Sequence, residues 1–134
     1  MVDFNDAKRR FDEVEGFIKN NNYRLVSLTD DECVLEATIT ETSMNPYGMA
    51  HGGYIFGLAD TTAGVLAAVN GTALTVDSTI SYLKPLKTNS AKAVATIDKA
   101  GSKISVFTVN VYDSNNVLVA KTTNTYFYIK MDEK

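Results

Sequence analysis

The stretch Asn45-Pro-Tyr-Gly-Met-Ala-His-Gly-Gly-Tyr-Ile-Phe-Gly-Leu-Ala-Asp-Thr-Thr-Ala-Gly-Val-Leu-Ala-Ala-Val69 decides how the rest of the chain must fold. Its first third is made of turn-formers and holds the only histidine, His51. Everything after Gly53 reads as a helix with almost no polar residues except Asp60, Thr61 and Thr62. A helix that is apolar nearly all round belongs inside a protein. A carboxylate placed in it costs several kcal/mol unless it is paired, hydrogen-bonded or protonated.

Outward from this segment, the pattern of the chain supplies the cover. Residues 4–20 carry Phe11, Val14, Phe17 and Ile18 at helical spacing, which predicts one amphipathic helix with Asn5 as N-cap and Asn20-Asn21-Asn22 as its stop. From Tyr23 the period changes to two. Residues 23–28 and 32–40 read as a hairpin around Thr29-Asp30-Asp31, with Cys33, Leu35, Ala37 and Ile39 on one face. After Asn70-Gly71, a helix C-terminal signal, four strands are expected over 72–83, 91–99, 104–113 and 117–129. Tight turns join the last three, so they run antiparallel. This order predicts an α+β domain of about six antiparallel strands curled around one long helix, with a further helix at the N-terminus. One layer of sheet leaves part of such a helix uncovered, and a second copy of the chain is the expected cover.

Bulk properties narrow the function classes. A chain of 134 residues without internal repeats or linkers reads as a single domain, 1–134. With 13 Lys+Arg against 16 Asp+Glu there is no basic stripe for nucleic acid. The first residues are acidic and lack a hydrophobic run, so no signal peptide is expected. The apolar run 54–69 is short for a bilayer span and contains Asp60. The lone Cys33 reads as a core residue of a reducing compartment. A cytoplasmic protein whose partners are small molecules or its own copies is the expectation.

Three features could carry chemistry. His51-Gly52-Gly53 places residues without side chains where the first N–H groups of a helix lack internal partners, an arrangement suited to a developing oxyanion. The same glycines also suit a tight turn or close packing. His51 could donate to a carbonyl or orient Asn45, and equally could cap the helix. Asp60 is either a reacting carboxylate beside the small residues Gly57, Ala63 and Gly64 or a structural one bound to nearby hydroxyls. A Ser-His-Asp site is weak because no serine sits in a nucleophile elbow, and one His with one Cys cannot supply a zinc site. No metal and no resident cofactor are expected. Spacing adds a constraint. Asp60 lies eight residues beyond Gly52, about 12 Å along a helix at 1.5 Å per residue. If both act on one atom, they must come from two chains, and the site is shared between subunits.

The run from Asn45 through Gly48, His51-Gly52-Gly53 and Leu58-Ala59-Asp60 resembles the hotdog-fold acyl-CoA thioesterases, on the PaaI-like branch of the 4-hydroxybenzoyl-CoA thioesterase superfamily. Residues 75–85, ending in Tyr82-Leu83-Lys84-Pro85, are similar to the strand that follows the helix in that family. The sequence lacks the motifs of the hotdog dehydratases and of the hydratase branch. The resemblance implies a hotdog domain, a homodimer at minimum and often a homotetramer, and hydrolysis of an acyl or aryl-acyl thioester to free acid and CoA. It implies Asp60 as general base or nucleophile, Gly52 and Gly53 as backbone donors to the carbonyl, and Asn45 and His51 as orienting groups. Thr75 falls where some relatives have a hydroxyl that positions water. Lys84, Lys87 and Lys103 are candidates to meet the phosphates of the substrate's CoA. The competing reading is a non-catalytic acyl-CoA-binding or sensing protein on the same fold.

Overall fold

The computed structural model describes residues 1–130. In chain order these form α1 (Phe4–Glu13), α2 (Phe17–Asn20), β1 (Tyr23–Leu28), β2 (Glu32–Thr38), α3 (Gly52–Ala67), β3 (Ala73–Tyr82), β4 (Ser90–Lys99), β5 (Ile104–Asp113) and β6 (Leu118–Tyr128). All pairings are antiparallel, and the sheet order is β1-β2-β4-β5-β6-β3. The hotdog arrangement expected from the resemblance is present: α3 packs against β2 through β6, with Leu58, Ala63 and Ala67 fully buried. A 3-10 turn extends α3, so that Gly52–Asn70 makes 19 continuous residues. That is longer than the run read from sequence, and by length and composition alone it could cross a membrane. Here it is the core element of the domain, with strand residues such as Ala93, Val109 and Val111 sealed in the same core.

The N-terminal region differs from the single helix expected. It breaks after Glu13 and restarts at Phe17, because Gly16 adopts φ +91°, a left-handed conformation closed to most L-residues. The cap is Asp3, whose carboxylate accepts from Asp6 N–H at 3.2 Å, rather than Asn5. The break lets α2 lay Phe17 across α3. At Gly57 a Cβ would come within 2.8 Å of the Phe17 ring and 2.9 Å of the Tyr23 hydroxyl, so glycine lets both rings lie this close and a larger residue would push them aside. Part of the surface of α3 assigned to a second copy is thus covered by the chain's own N-terminus.

Strand β3 forms one edge of the sheet and pairs only with β6 among the described residues. Its exposed apolar side chains include Leu74 and Val76, 57% and 60% accessible. A β-bulge falls between Thr75 and Asp77. The extra residue puts Thr75 and Ser78, three apart, on the same helix-facing side, where strict alternation would turn one of them away.

Candidate active site

Two constellations lie along α3. The first is at its start, which the preceding loop fixes. Asn45 Oδ1 accepts from Tyr47 N–H and Met49 N–H, at 2.9 and 3.1 Å, so the side-chain oxygen is spent on folding the loop and the amide NH2 keeps its donors. Gly48, at φ +78°, closes the same turn by donating its N–H to Asn45 O at 3.1 Å. His51 is the N-cap, and its Nδ1 accepts from Gly53 N–H at 2.8 Å. Accepting at Nδ1 places the proton of the neutral ring on Nε2, as an outward donor.

The two glycines, treated alike in the sequence, have different fates. Gly53 N–H is occupied by His51. Gly52 N–H has no acceptor among the described residues and remains the open donor. Neither glycine has positive φ. Each makes room: a Cβ on Gly53 would lie 3.1 Å from His51 Nδ1, and one on Gly52 3.1 Å from the Tyr82 hydroxyl. Tyr82 donates that hydroxyl to Gly52 O at 2.8 Å, anchoring the helix start to the end of β3. Asn45, Gly52, Tyr82 and Lys84 border one cleft of about 380 Å³. Lys87 is exposed in the loop beyond it, and Lys103 is exposed in the turn between β4 and β5.

The second constellation surrounds Asp60. Thr75 Oγ1 donates to Asp60 Oδ1 at 2.8 Å, and the Tyr126 hydroxyl lies 2.6 Å from that same oxygen and 2.6 Å from Asp60 O. Thr75 and Tyr126 are directly opposed residues of β3 and β6, which is why both reach one carboxylate. Burial first, and then the hydrogen bond to Asp60, push the Tyr126 phenol well above its ordinary pKa, so it remains a donor at neutral pH. Its ring is 3% exposed and packs edge-on against Phe107, with centroids 5.8 Å apart. Gly64, one turn beyond Asp60, leaves the space: a Cβ there would sit 3.1 Å from the Tyr126 hydroxyl. Both recorded donors crowd Oδ1, and Asp60 Oδ2 accepts no hydrogen bond among the described residues.

Asp60 and Tyr126 border a separate, larger cleft of about 940 Å³ between α1 and α3. Asp60 and Gly52 thus open into different clefts of one chain. Cys33 belongs to neither; it is fully buried, and burial pushes its thiol up to about 12, so it stays protonated. Tyr126 and Tyr82 were not among the residues singled out from sequence. A signal for Tyr126 existed in β6, where the helix-facing positions Thr122, Asn124 and Tyr126 are all polar-tipped and all buried.

These geometries meet a clear family match. The model of the thioesterase superfamily matches residues 47–120, more than half of the chain, a span that holds His51, Gly52, Asp60, Thr75 and Tyr82 but neither Asn45 nor Tyr126. The chain belongs to the thioesterase superfamily. That places this thioesterase among thioester hydrolases. It is 31% identical to a Streptococcus mutans UA159 protein solved bound to acetyl-CoA, over 90% of this chain and 97% of that one, with a TM-score of 0.80. It is 28% identical to a hypothetical thioesterase of Streptococcus pneumoniae TIGR4 solved with coenzyme A, over 84% of this chain and 89% of that one, TM-score 0.77. The Escherichia coli PaaI protein of the phenylacetic acid degradation operon shares the fold at TM-score 0.86 and 21% identity, over 96% and 97% of the two chains.

The cap makes its own prediction. His51→Ala in this thioesterase should lower stability by about 1 kcal/mol, the usual cost of losing an N-cap. His51→Asn, a good N-cap, should restore the melting temperature. If the Nε2–H also meets substrate, kcat/KM stays low in both variants; recovery of activity together with stability would show that His51 acts only as a cap.

Proposed function

We propose that this thioesterase hydrolyses acyl-CoA thioesters in a site built from Asp60 of one copy and the Gly52 helix start of another. The observation that carries the reading is the Asp60 carboxylate, held by two hydroxyls at Oδ1 and left open at Oδ2 beside the cleft between α1 and α3. In this reading Oδ2 takes a proton from water as the water oxygen bonds to the thioester carbon, or attacks that carbon itself. The carbonyl oxygen becomes an oxyanion that Gly52 N–H stabilises, at the positive end of α3. Collapse breaks the C–S bond, and the CoA thiolate leaves and takes up a proton. In the direct-attack route, water then cleaves the acyl–Asp60 anhydride. The Asn45 amide and His51 Nε2–H orient the thioester from the Gly52 side. In the same reading Lys84, which borders the Gly52 cleft, meets a CoA phosphate, with Lys87 further along the loop.

A shared site is supported by the separation of the two clefts and by the open edge of β3, where Leu74 and Val76 invite a second copy to extend the sheet. A homodimer is the smallest assembly this needs; a homotetramer adds an interface elsewhere on the chain. The free, buried Cys33 suits a cytoplasmic setting.

Release of CoA thiol over a panel of short, medium and aryl acyl-CoA esters tests the reaction. Ligand-dependent thermal shifts without turnover across that panel would favour a binding protein instead. The shared site has a sharper test in Gly52→Pro. Proline is well tolerated at the first position of a helix, and His51 before it is already extended at ψ 141°, so the variant removes the open N–H and keeps the α3 backbone. Because a Cβ here lies 3.1 Å from the Tyr82 hydroxyl, Gly52→Ala, which adds the Cβ and keeps the N–H, is the control. Asp60→Asn and Gly52→Pro should each be nearly inactive. After subunit exchange, half of the dimers are mixed and each retains one complete site, so about one quarter of wild-type activity returns. No return, with exchange verified, would put the whole site in one chain.

A further inference from the structure

We propose that the cleft between α1 and α3 is the acyl chamber and that it selects uncharged acyl groups of medium length; this rests on the thioesterase reading of Asp60. The cleft is the one that Asp60 and Tyr126 border, so an acyl chain whose carbonyl carbon lies at Asp60 Oδ2 has this space directly before it. Its volume of about 940 Å³ is at the upper end of small-molecule sites, more than a two-carbon acyl group can fill. From Asp60 the floor runs along Gly64, Val65 and Ala68, eight residues or about 12 Å of helix. Phe11 and Val14 of the α1 end and Ile18 of α2 face it across the cleft. The length is that of an extended acyl chain lying along α3, and the lining offers it apolar contact on both sides.

The rim has the opposite character. Asp3, Asp6, Asp30 and Asp31 stand around the mouth with one side-chain cation, Arg10, among the lining residues. Asp6 is neutralised by Arg9 and Arg10, and Asp30 faces the α-amino group of Met1 at 4.0 Å. Asp3 and Asp31 have no cation partner among the described residues. An acyl group that ends in a carboxylate would bring a second negative charge to this rim and would have to desolvate on the apolar floor. Both effects disfavour it.

The experiment is a chain-length series of saturated acyl-CoA esters from acetyl to dodecanoyl, with hexanoyl- and adipoyl-CoA as a pair matched in length. Wild-type kcat/KM should peak at medium length and favour hexanoyl over adipoyl. Val65→Trp fills the floor and should move the peak to shorter chains, lowering octanoyl-CoA at least about 10-fold while the shortest ester hydrolysed by the wild type is spared. Val14→Trp, from the half-exposed end of α1, fills the same space from the opposite wall and serves if the first variant does not fold. Asp3→Asn with Asp31→Asn keeps the α1 cap and should narrow the hexanoyl-to-adipoyl ratio. If the series is hydrolysed but its peak stays put in both tryptophan variants, the chamber is elsewhere and the thioesterase reading survives. If the wild type hydrolyses none of these esters but cleaves an aryl acyl-CoA, the medium-chain chamber falls and the thioesterase reading survives; if it cleaves neither, both fall.

Discussion

Replacing Asp60 by asparagine is expected to lower kcat by about 10²–10⁴-fold, the range a positioned general base contributes. The substitution keeps the shape and leaves a carbonyl oxygen that can still accept from Thr75 and Tyr126, whose hydroxyls meet Asp60 Oδ1 at 2.8 and 2.6 Å. It removes the anionic oxygen that would accept a proton from water or attack the thioester carbon. Because the carboxylate is only half-buried and the hydroxyl contacts persist, the melting temperature should change little. Steady-state kinetics beside a thermal melt separates the two effects. Wild-type turnover in Asp60→Asn would remove the carboxylate from the mechanism.

Tyr126→Phe is expected to cost about 10–150-fold in kcat, from the 1.5–3 kcal/mol that a hydrogen bond to a charged group is worth. The ring and its packing on Phe107 remain, so the loss isolates the hydroxyl. Without it, Asp60 Oδ1 keeps only Thr75, and the carboxylate can rotate away from the orientation that presents Oδ2. Tyr126 is a positioning residue in this account, since it touches Asp60 rather than the reacting atoms. The fall should therefore appear in kcat with KM nearly unchanged, and Tyr126→His or another ring that can donate toward Asp60 should recover part of it. Adding Thr75→Ala should be non-additive, as both hydroxyls serve one oxygen. Unchanged kcat in Tyr126→Phe would reduce the contact to core packing.

Much of the architecture was legible because it rests on local periodicity. Residues 104–113 alternate cleanly, and β5 occupies that span; β1 occupies 23–28 as expected, with an irregularity between Leu25 and Ser27 that the alternation did not announce. The apolar run after Gly53 could only be a core helix, and Asn70-Gly71 marked its end, where Gly71 takes φ +145°. What periodicity missed are contacts between distant residues. The helical spacing of Phe11, Val14, Phe17 and Ile18 continues across Gly16, yet the chain turns there because Phe17 has a place over Gly57 that a straight helix would not reach. The bulge beside Val76 has no local signature, and it is what keeps both Thr75 and Ser78 facing α3. Tyr126 lies 66 residues from Asp60 in sequence and meets it only through the pairing of β3 with β6.

By itself, then, the sequence determined that a carboxylate sits in a helix too apolar for a surface, that a glycine pair opens that helix, and that spacing keeps the two apart in one chain. Those conclusions follow from composition and from the 1.5 Å rise of a helix, which hold wherever the segment is placed. Only the tertiary structure decided which atoms are available. Gly52 N–H is open while Gly53 N–H is held by His51, and Asp60 presents Oδ2 because cross-strand neighbours hold Oδ1. Hydrogen-bond partnership depends on atoms brought within 3 Å by folding, and no spacing along the chain encodes it.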